Sequence, residues 1–456
     1  MRHQVFALVI LASITNSFLT PSATAQIQPG GYLVSLSNTT STFHELWTVD
    51  SATRKATQLT MAPSVKVNCI TMLTPSNGWI GTVDDPATVY SMSLSGTTAT
   101  MTSLFKTATA LAGKTNIAQI ARVGGLLYFS TNPGATIYSI PVGGGVDPTL
   151  VIDLATVTGF PTGGLANAIC SDGATKLWVG IWSGGEIFEV DVSSTTPTAK
   201  LLTKLPDSKL PTTGTSFPVH MHYRAGRIES IGLYGDVVVI DPATLKVDGH
   251  YFAASPTGTG FVNTKNCGVF NPDSGDYAIA SRDGSLDHVV PVGAGQIARF
   301  DVTGIGGGAM PSNNSTTGIY YNPAGAKYSA YDNGCVGQAG FGPTSVGRGA
   351  ATKGNASFGF GLDTCPAGQN IAILLIGAST VKADLGGLGL SGCNLLTVPL
   401  LTLPVLTSNA TANGFGSATV PVPLPNSSLT LHTQWILFNA TTSTFLAVSD
   451  GRTLTL

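Results

Sequence analysis

Charge is what this sequence has least of. Asp, Glu, Lys and Arg together make up 10% of the 456 residues, 22 basic against 24 acidic, with a formal net charge of −2. Globular domains ordinarily carry about a quarter. No basic run or patch occurs, which argues against nucleic acid and anionic membranes as partners. Long apolar runs are also missing: a spanning helix needs roughly 20 apolar residues, and a late candidate such as Ile371–Ile376 is only strand-length. No G-x-S-x-G elbow, Walker loop, H-E-x-x-H pair or C-x-x-C pair is present. The run Gly143–Gly145 ends a strand inside a hairpin, so it lacks the strand–loop–helix setting of a phosphate loop.

What is present is a repeat. The segments LWTVD (from Leu46), VYSMSL (Val89), IYSIPV (Ile137), IFEVDV (Ile187), VVVID (Val237) and IARFDV (Ile297) align. Their second positions Trp47, Tyr90, Tyr138, Phe188 and Val238 lie 43, 48, 50 and 50 residues apart. Short strands at a period of roughly 40–50 residues, bounded by Gly and Asp turns, are the mark of propeller blades. A second alignment supports the first. Asn68, Asn116, Asn167, His220 and Asn266 each open a strand, and eleven residues later come Trp79, Leu127, Trp178, Ile231 and Tyr277, all in following strands. Since the first strand of each blade lines the channel, the five polar residues are expected as a ring at one channel mouth.

Blade one has no first strand of its own, because eleven residues before Tyr32 lies Pro21, inside an N-terminal export signal. The expected remedy is a strand borrowed from Gly304–Tyr321, which would seal the open edge. In blade six, taking IARFDV as the third strand leaves an irregular insertion, residues 281–295, that carries Asp283, Asp287 and His288. Such insertions on rigid scaffolds often carry function.

The export signal consists of Arg2 and His3, an apolar run Val5–Ala12, and Ala23-Thr24-Ala25, with cleavage expected after Ala25. That places the protein outside the cell or on its surface, where disulfides can form. From about Ala330 the texture changes to strand-like runs separated by Gly, Pro and Asn, with no helical period. The expected organisation is an all-β chain. Residues 1–25 form a signal peptide, 27–312 a six-bladed β-propeller, 313–330 a linker and 331–456 a C-terminal antiparallel β-sandwich. Cys69, Cys170 and Cys267 fall on first strands of alternate blades, too far apart to bridge, and are expected as buried apolar side chains.

The C-terminal part resembles a module found at the ends of many secreted bacterial proteins, often behind propellers or other repeats. The resemblance rests on Tyr331-Asp332-Asn333-Gly334-Cys335, Ala372–Gly377, Ser391-Gly392-Cys393-Asn394-Leu395 and Thr433-Gln434-Trp435, and covers Tyr331 to Leu456. It implies an extracellular all-β domain with no activity attached. Its two Gly-Cys positions match Cys335 and Cys393, which are expected to be bridged. Cys365 is outside the pattern, and pairings of Cys365 with either of the other two are the rivals.

Two functions follow from the ring. Asn68, Asn116, Asn167 and Asn266 offer oxygen ligands, and His220 with His222 could act as acid, base or ligand; channel-metal hydrolases of the lactonase type hold calcium in this way. The ring positions lack a carboxylate, however, so the preferred reading is a non-catalytic binding platform without a cofactor. Trp182 and Tyr234, near turns at the rim, could stack on sugars. The expected partner is an extracellular carbohydrate or protein, bound by a monomer.

Overall fold

The computed structural model describes residues 27–38, 44–50, 56–206, 217–233, 236–252, 265–281, 286–289, 297–300, 314–324, 327–332, 343–348, 351–365, 370–408 and 416–456. Its regular structure is almost wholly antiparallel β-strand.

Six four-stranded blades make up the first part. Blades two to five run in simple chain order, opening with the strands Val67–Thr74, Asn116–Val123, Ala166–Ser171 and Pro218–Arg224. Blade six opens with Lys265–Asn271. Blade one is assembled from both ends of the chain: its innermost strand is Asn314–Tyr321, paired antiparallel with Tyr32–Asn38, and His44–Val49 and Ala56–Ala62 follow outward. The borrowed strand therefore exists within the expected segment. It also lies inside the stretch assigned to a linker. The propeller extends to Tyr321, and the connection to the next strand shrinks to residues 322–326.

Apolar side chains alternate along these strands, and the cores form between blades. Leu33 and Leu46 of blade one pack with Val67 and Ile80 of blade two. Cys69 and Trp79 of blade two pack with Ile117 and Phe129 of blade three. Val179 and Phe188 meet Ile137, while Trp178 meets Met221 and Val238. Val219 and Ile231 meet Tyr277 and Ile279. The circuit closes where Cys267 and Ala278 of blade six pack with Tyr32, Val34 and Ile319 of blade one. Cys69, Cys170 and Cys267 are buried in these interfaces as small apolar groups. Blades one and two are joined further at their outer edges, where Thr60–Ala62 runs parallel to Thr98–Thr100 and makes one eight-stranded sheet.

The turn chemistry is local. Asp241 Oδ1 accepts the N–H groups of Ala243 and Thr244, capping its own turn, and Asp172 Oδ1 does the same for three successive amides, Ala174 to Lys176.

Blade six corrects one expectation. Its third strand is Leu286–Val289, and Ile297–Phe300 is its fourth. Asp287 and His288 thus lie in a blade strand and not in a long insertion; Asp283 lies outside the described residues. The polar LDHV sequence hid this strand, although third strands begin at Thr136, Glu186, Asp236 and Leu286, at a constant spacing.

The C-terminal residues form a sheet in the order Lys327–Asp332, Gly451–Thr455, Thr430–Asn439, Ile371–Gly377, Leu401–Leu406, with Thr444–Val448 also paired to Thr430–Asn439. A three-stranded sheet contains Thr344–Arg348, Gly359–Cys365 and Gly416–Pro421. Phe360 and Leu362 of the smaller sheet share one buried core with Leu374, Trp435 and Leu437 of the larger.

Candidate functional site: the channel-mouth ring

The ring residues sit where the inner strands buckle. In every blade the pairing of the inner strand with its neighbour shifts register near its start: between Val67 and Cys69, Ile117 and Ile120, Ala166 and Ala168, Pro218 and His220, and Lys265 and Cys267. In blade one the shift falls opposite Ser35/Leu36 and skips Thr317. A β-bulge places an extra residue against one partner and re-aims its side chain. Asn68, Asn167 and Asn266 are the skipped residues in their blades, which explains why small polar residues recur there.

The side chains of Asn68 and Asn167 turn sideways, toward the next blade. Thr317 Oγ1 donates to Val67 O at 3.0 Å, from blade one to blade two. Asn68 Nδ2 donates to Asn116 Oδ1 at 2.6 Å and to Ile117 O at 2.9 Å, from blade two to blade three. Ser130 Oγ donates to Asn167 O at 3.2 Å, and Asn167 Nδ2 donates to Pro218 O at 3.1 Å. His220 Nδ1 and His222 Nε2 each lie 2.7 Å from Gly268 O in blade six. Asn271 Nδ2 completes the circuit to Tyr32 Oη of blade one at 3.1 Å. Each blade is thus tied to its neighbour by a side-chain hydrogen bond. Asn68, Asn116 and Asn167 are half-buried at this mouth. Only the backbone of Asn266 is described.

Gln119 lies deeper and was not anticipated. It belongs to the bulge of blade three, is buried, and spans three blades. Its Nε2 donates to Met221 O at 2.8 Å; its Oε1 accepts from Ile169 N at 3.0 Å and Met221 N at 3.1 Å. Thr317 was missed as well, since 282 residues separate it from Ser35 in the strand it pairs with.

The electrostatics are muted. Burial, reinforced by the adjacent His222 ring, brings the His220 pKa down to about 3. Burial likewise lowers that of His222. Both rings are therefore neutral near pH 7, and with one carbonyl facing both, His220 carries its proton on Nδ1 and His222 on Nε2. The rings meet edge to face at 4.6 Å. Between blades five and six, Arg224 pairs with buried Glu229 and covers the Phe270 ring at 3.4 Å. Among the described residues, no group of three or more His, Cys, Asp or Glu is arranged to hold a metal. No helix among them is long and apolar enough to cross a membrane.

Of the rim aromatics, Trp182 is half-buried and stacks on Phe217 at 6.1 Å, and Tyr234 lies outside the described residues. In the C-terminal part, Gln434 is fully buried: its Oε1 accepts from Leu396 N, and its Nε2 donates to Asn394 O and Ser449 O. It stitches the strand after Cys393 to the end of the module, while Trp435 fills the shared core. Cys69, Cys170, Cys267 and Cys365 are buried thiols. Cys393 is not among them, and Cys335 lies outside the described residues.

No protein-family profile and no curated protein matches this chain. Among solved structures it is similar to the Cps50 (Swd1) β-propeller domain of Myceliophteria thermophila, at 9% identity and a TM-score of 0.35, over 86% of this chain and 97% of that one. It is also similar to regucalcin, a calcium-binding protein of Agrobacterium tumefaciens, at 16% identity and a TM-score of 0.37, over 52% and 74% of the two chains. A third likeness is to YCF48 bound to D1 peptide, at 13% identity and 0.31, over 50% and 79%. These scores are low, and the propeller assignment rests on the strand order and the inter-blade cores.

Proposed function

We propose that this chain is a secreted, non-catalytic binding protein that presents its propeller as a recognition platform for an extracellular carbohydrate or protein. One observation carries the reading. Asn68 and Asn167 at the channel mouth are committed to neighbouring blades, and His220, which is buried, and His222, which is half-buried, are neutral and bonded to a backbone carbonyl. General acid–base work needs a group that titrates near the working pH and reaches the reactant. This mouth reads instead as a rigid frame, and rigid frames with variable loops make binding surfaces. Residues 1–25 act in this reading as the export signal, and the two C-terminal sheets as a β-sandwich. A Cys335–Cys393 bridge belongs to the same reading. It is supported by the four other cysteines being thiols and by the 58-residue loop it would close, worth about 4 kcal/mol in the chain-entropy model.

The alternative, a calcium-dependent lactonase-type hydrolase, is separated by a thermal melt with and without calcium on metal-analysed protein. A cation bound only to the folded state raises the melting temperature by mass action. No bound metal and an unchanged melt support the platform. A calcium-dependent rise that vanishes in Asn68→Ala and Asn167→Ala would overturn it.

A further inference from the structure

The turn Asn271–Asp276, between the two innermost strands of blade six, is gripped from three sides. Asn271 reaches Tyr32 of blade one. Asp273 Oδ2 accepts from Tyr321 Oη, at the end of the closing strand, at 2.5 Å and from Ala324 N at 2.6 Å. The third grip comes from the C-terminal module. Tyr328 N donates to Asp273 O at 2.6 Å. Arg452 Nη2 lies 3.0 and 3.3 Å from the two carboxylate oxygens of Asp276, and Arg452 Nη1 donates to Ser274 O at 3.1 Å and Tyr328 O at 3.3 Å. Its Nε donates to Asp450 Oδ2 at 2.6 Å, and Asp450 Oδ1 in turn accepts from Ser345 N.

Arg452 and Asp276 are both 0% exposed. A guanidinium is kept in such a place only when its fork of donors is satisfied, and here every nitrogen has an acceptor. The geometry of the chain adds a constraint. Only residues 322–326 separate the closing strand from Lys327–Asp332, whose partner strand Gly451–Thr455 carries Arg452. The end of the closing strand and the start of the module are therefore held by the same six-residue turn, with little slack between them.

We propose that the C-terminal module is the latch of the propeller ring: Arg452 holds the module on the Asn271–Asp276 turn, the docked module holds the closing strand in blade one, and undocking it opens the seam between blades six and one. Removing one partner of such a buried network leaves an uncompensated charge and is strongly destabilising.

Hydrogen exchange on the full chain tests this, comparing wild type with Asp276→Asn, which keeps the shape of the site, and Arg452→Met, which keeps its bulk. Both variants are expected to expose the Tyr328 amide and to speed exchange of the Thr316–Tyr321 amides at least tenfold, with blades three and four unchanged. If Arg452→Met fails to fold, Asp276→Asn decides alone. Loss of Tyr328 protection with wild-type protection of Thr316–Tyr321 would overturn the latch, as would wild-type exchange at both places in Asp276→Asn.

Discussion

At the scale of single residues, the described blades are tied to one another near the channel by amides, hydroxyls and imidazoles. Gln119 makes the sharpest case. Gln119→Ala strands Ile169 N and both backbone groups of Met221 in a buried site, each costing about 1 kcal/mol or more when left unpaired. Urea denaturation is expected to show a loss of about 3 kcal/mol. The histidines give a pH signature. Their folded pKa values lie below the ordinary value near 6.5, so the unfolded chain binds protons that the folded chain refuses. The His220 contribution to stability is full above pH 6.5 and is lost as pH falls toward 3, at up to about 1.4 kcal/mol per pH unit, and that of His222 falls in the same direction below pH 6.5. Melts between pH 7 and 5 are expected to show this fall before most carboxylates titrate, and His220→Gln to flatten it. The asparagines were legible in the sequence because a bulge wants a short polar side chain and so repeats one. Gln119 was not, since nothing about a lone Gln in a strand says which backbone it will reach.

At the scale of elements, blades pack closely enough that glycine is required at the contact. A Cβ on Gly81 would come within 2.5 Å of Ile117 Cβ and 2.8 Å of Cys69 Sγ. Gly81→Val is therefore expected to cost about 3 kcal/mol through overpacking between blades two and three, seen as a lower denaturation midpoint at unchanged slope. Five of the six third strands were readable from their apolar second positions. The sixth, Leu286–Val289, was not, because Asp287 and His288 break the apolar pattern; its place was legible only in the spacing of strand starts. The closing strand was readable for a different reason. A blade lacking its inner strand must find one, and the chain beyond blade six was the only supply. The Arg452–Asp276 contact had no sequence signal, since 176 residues separate the partners and each looks like an ordinary surface charge.

At the scale of the whole molecule, the ring depends on its two chain ends meeting. A chain ended at Ala324 retains Asn314–Tyr321 and is expected to remain a monomer with a lowered melting temperature. One ended at Asn313 exposes the paired edge of Tyr32–Asn38 and is expected to self-associate, as open strand edges do. Size-exclusion chromatography with light scattering separates the two outcomes, and equal behaviour would count against closure by this strand.

The parallel seam between Thr60–Ala62 and Thr98–Thr100 gives the ring a direction of weakness. Blades one and two, stitched along their outer margins as well as through their core, move as a single plate. Blade three is tied to blade two outside the core as well, where Phe105 bridges Val146 in parallel and Thr107 N donates to Asp147 Oδ1. Bending of the ring is therefore expected at the joints away from these three blades. A ligand that widens one mouth of the channel would work against those joints, so its grip would be felt in blades four to six before it was felt in blades one to three.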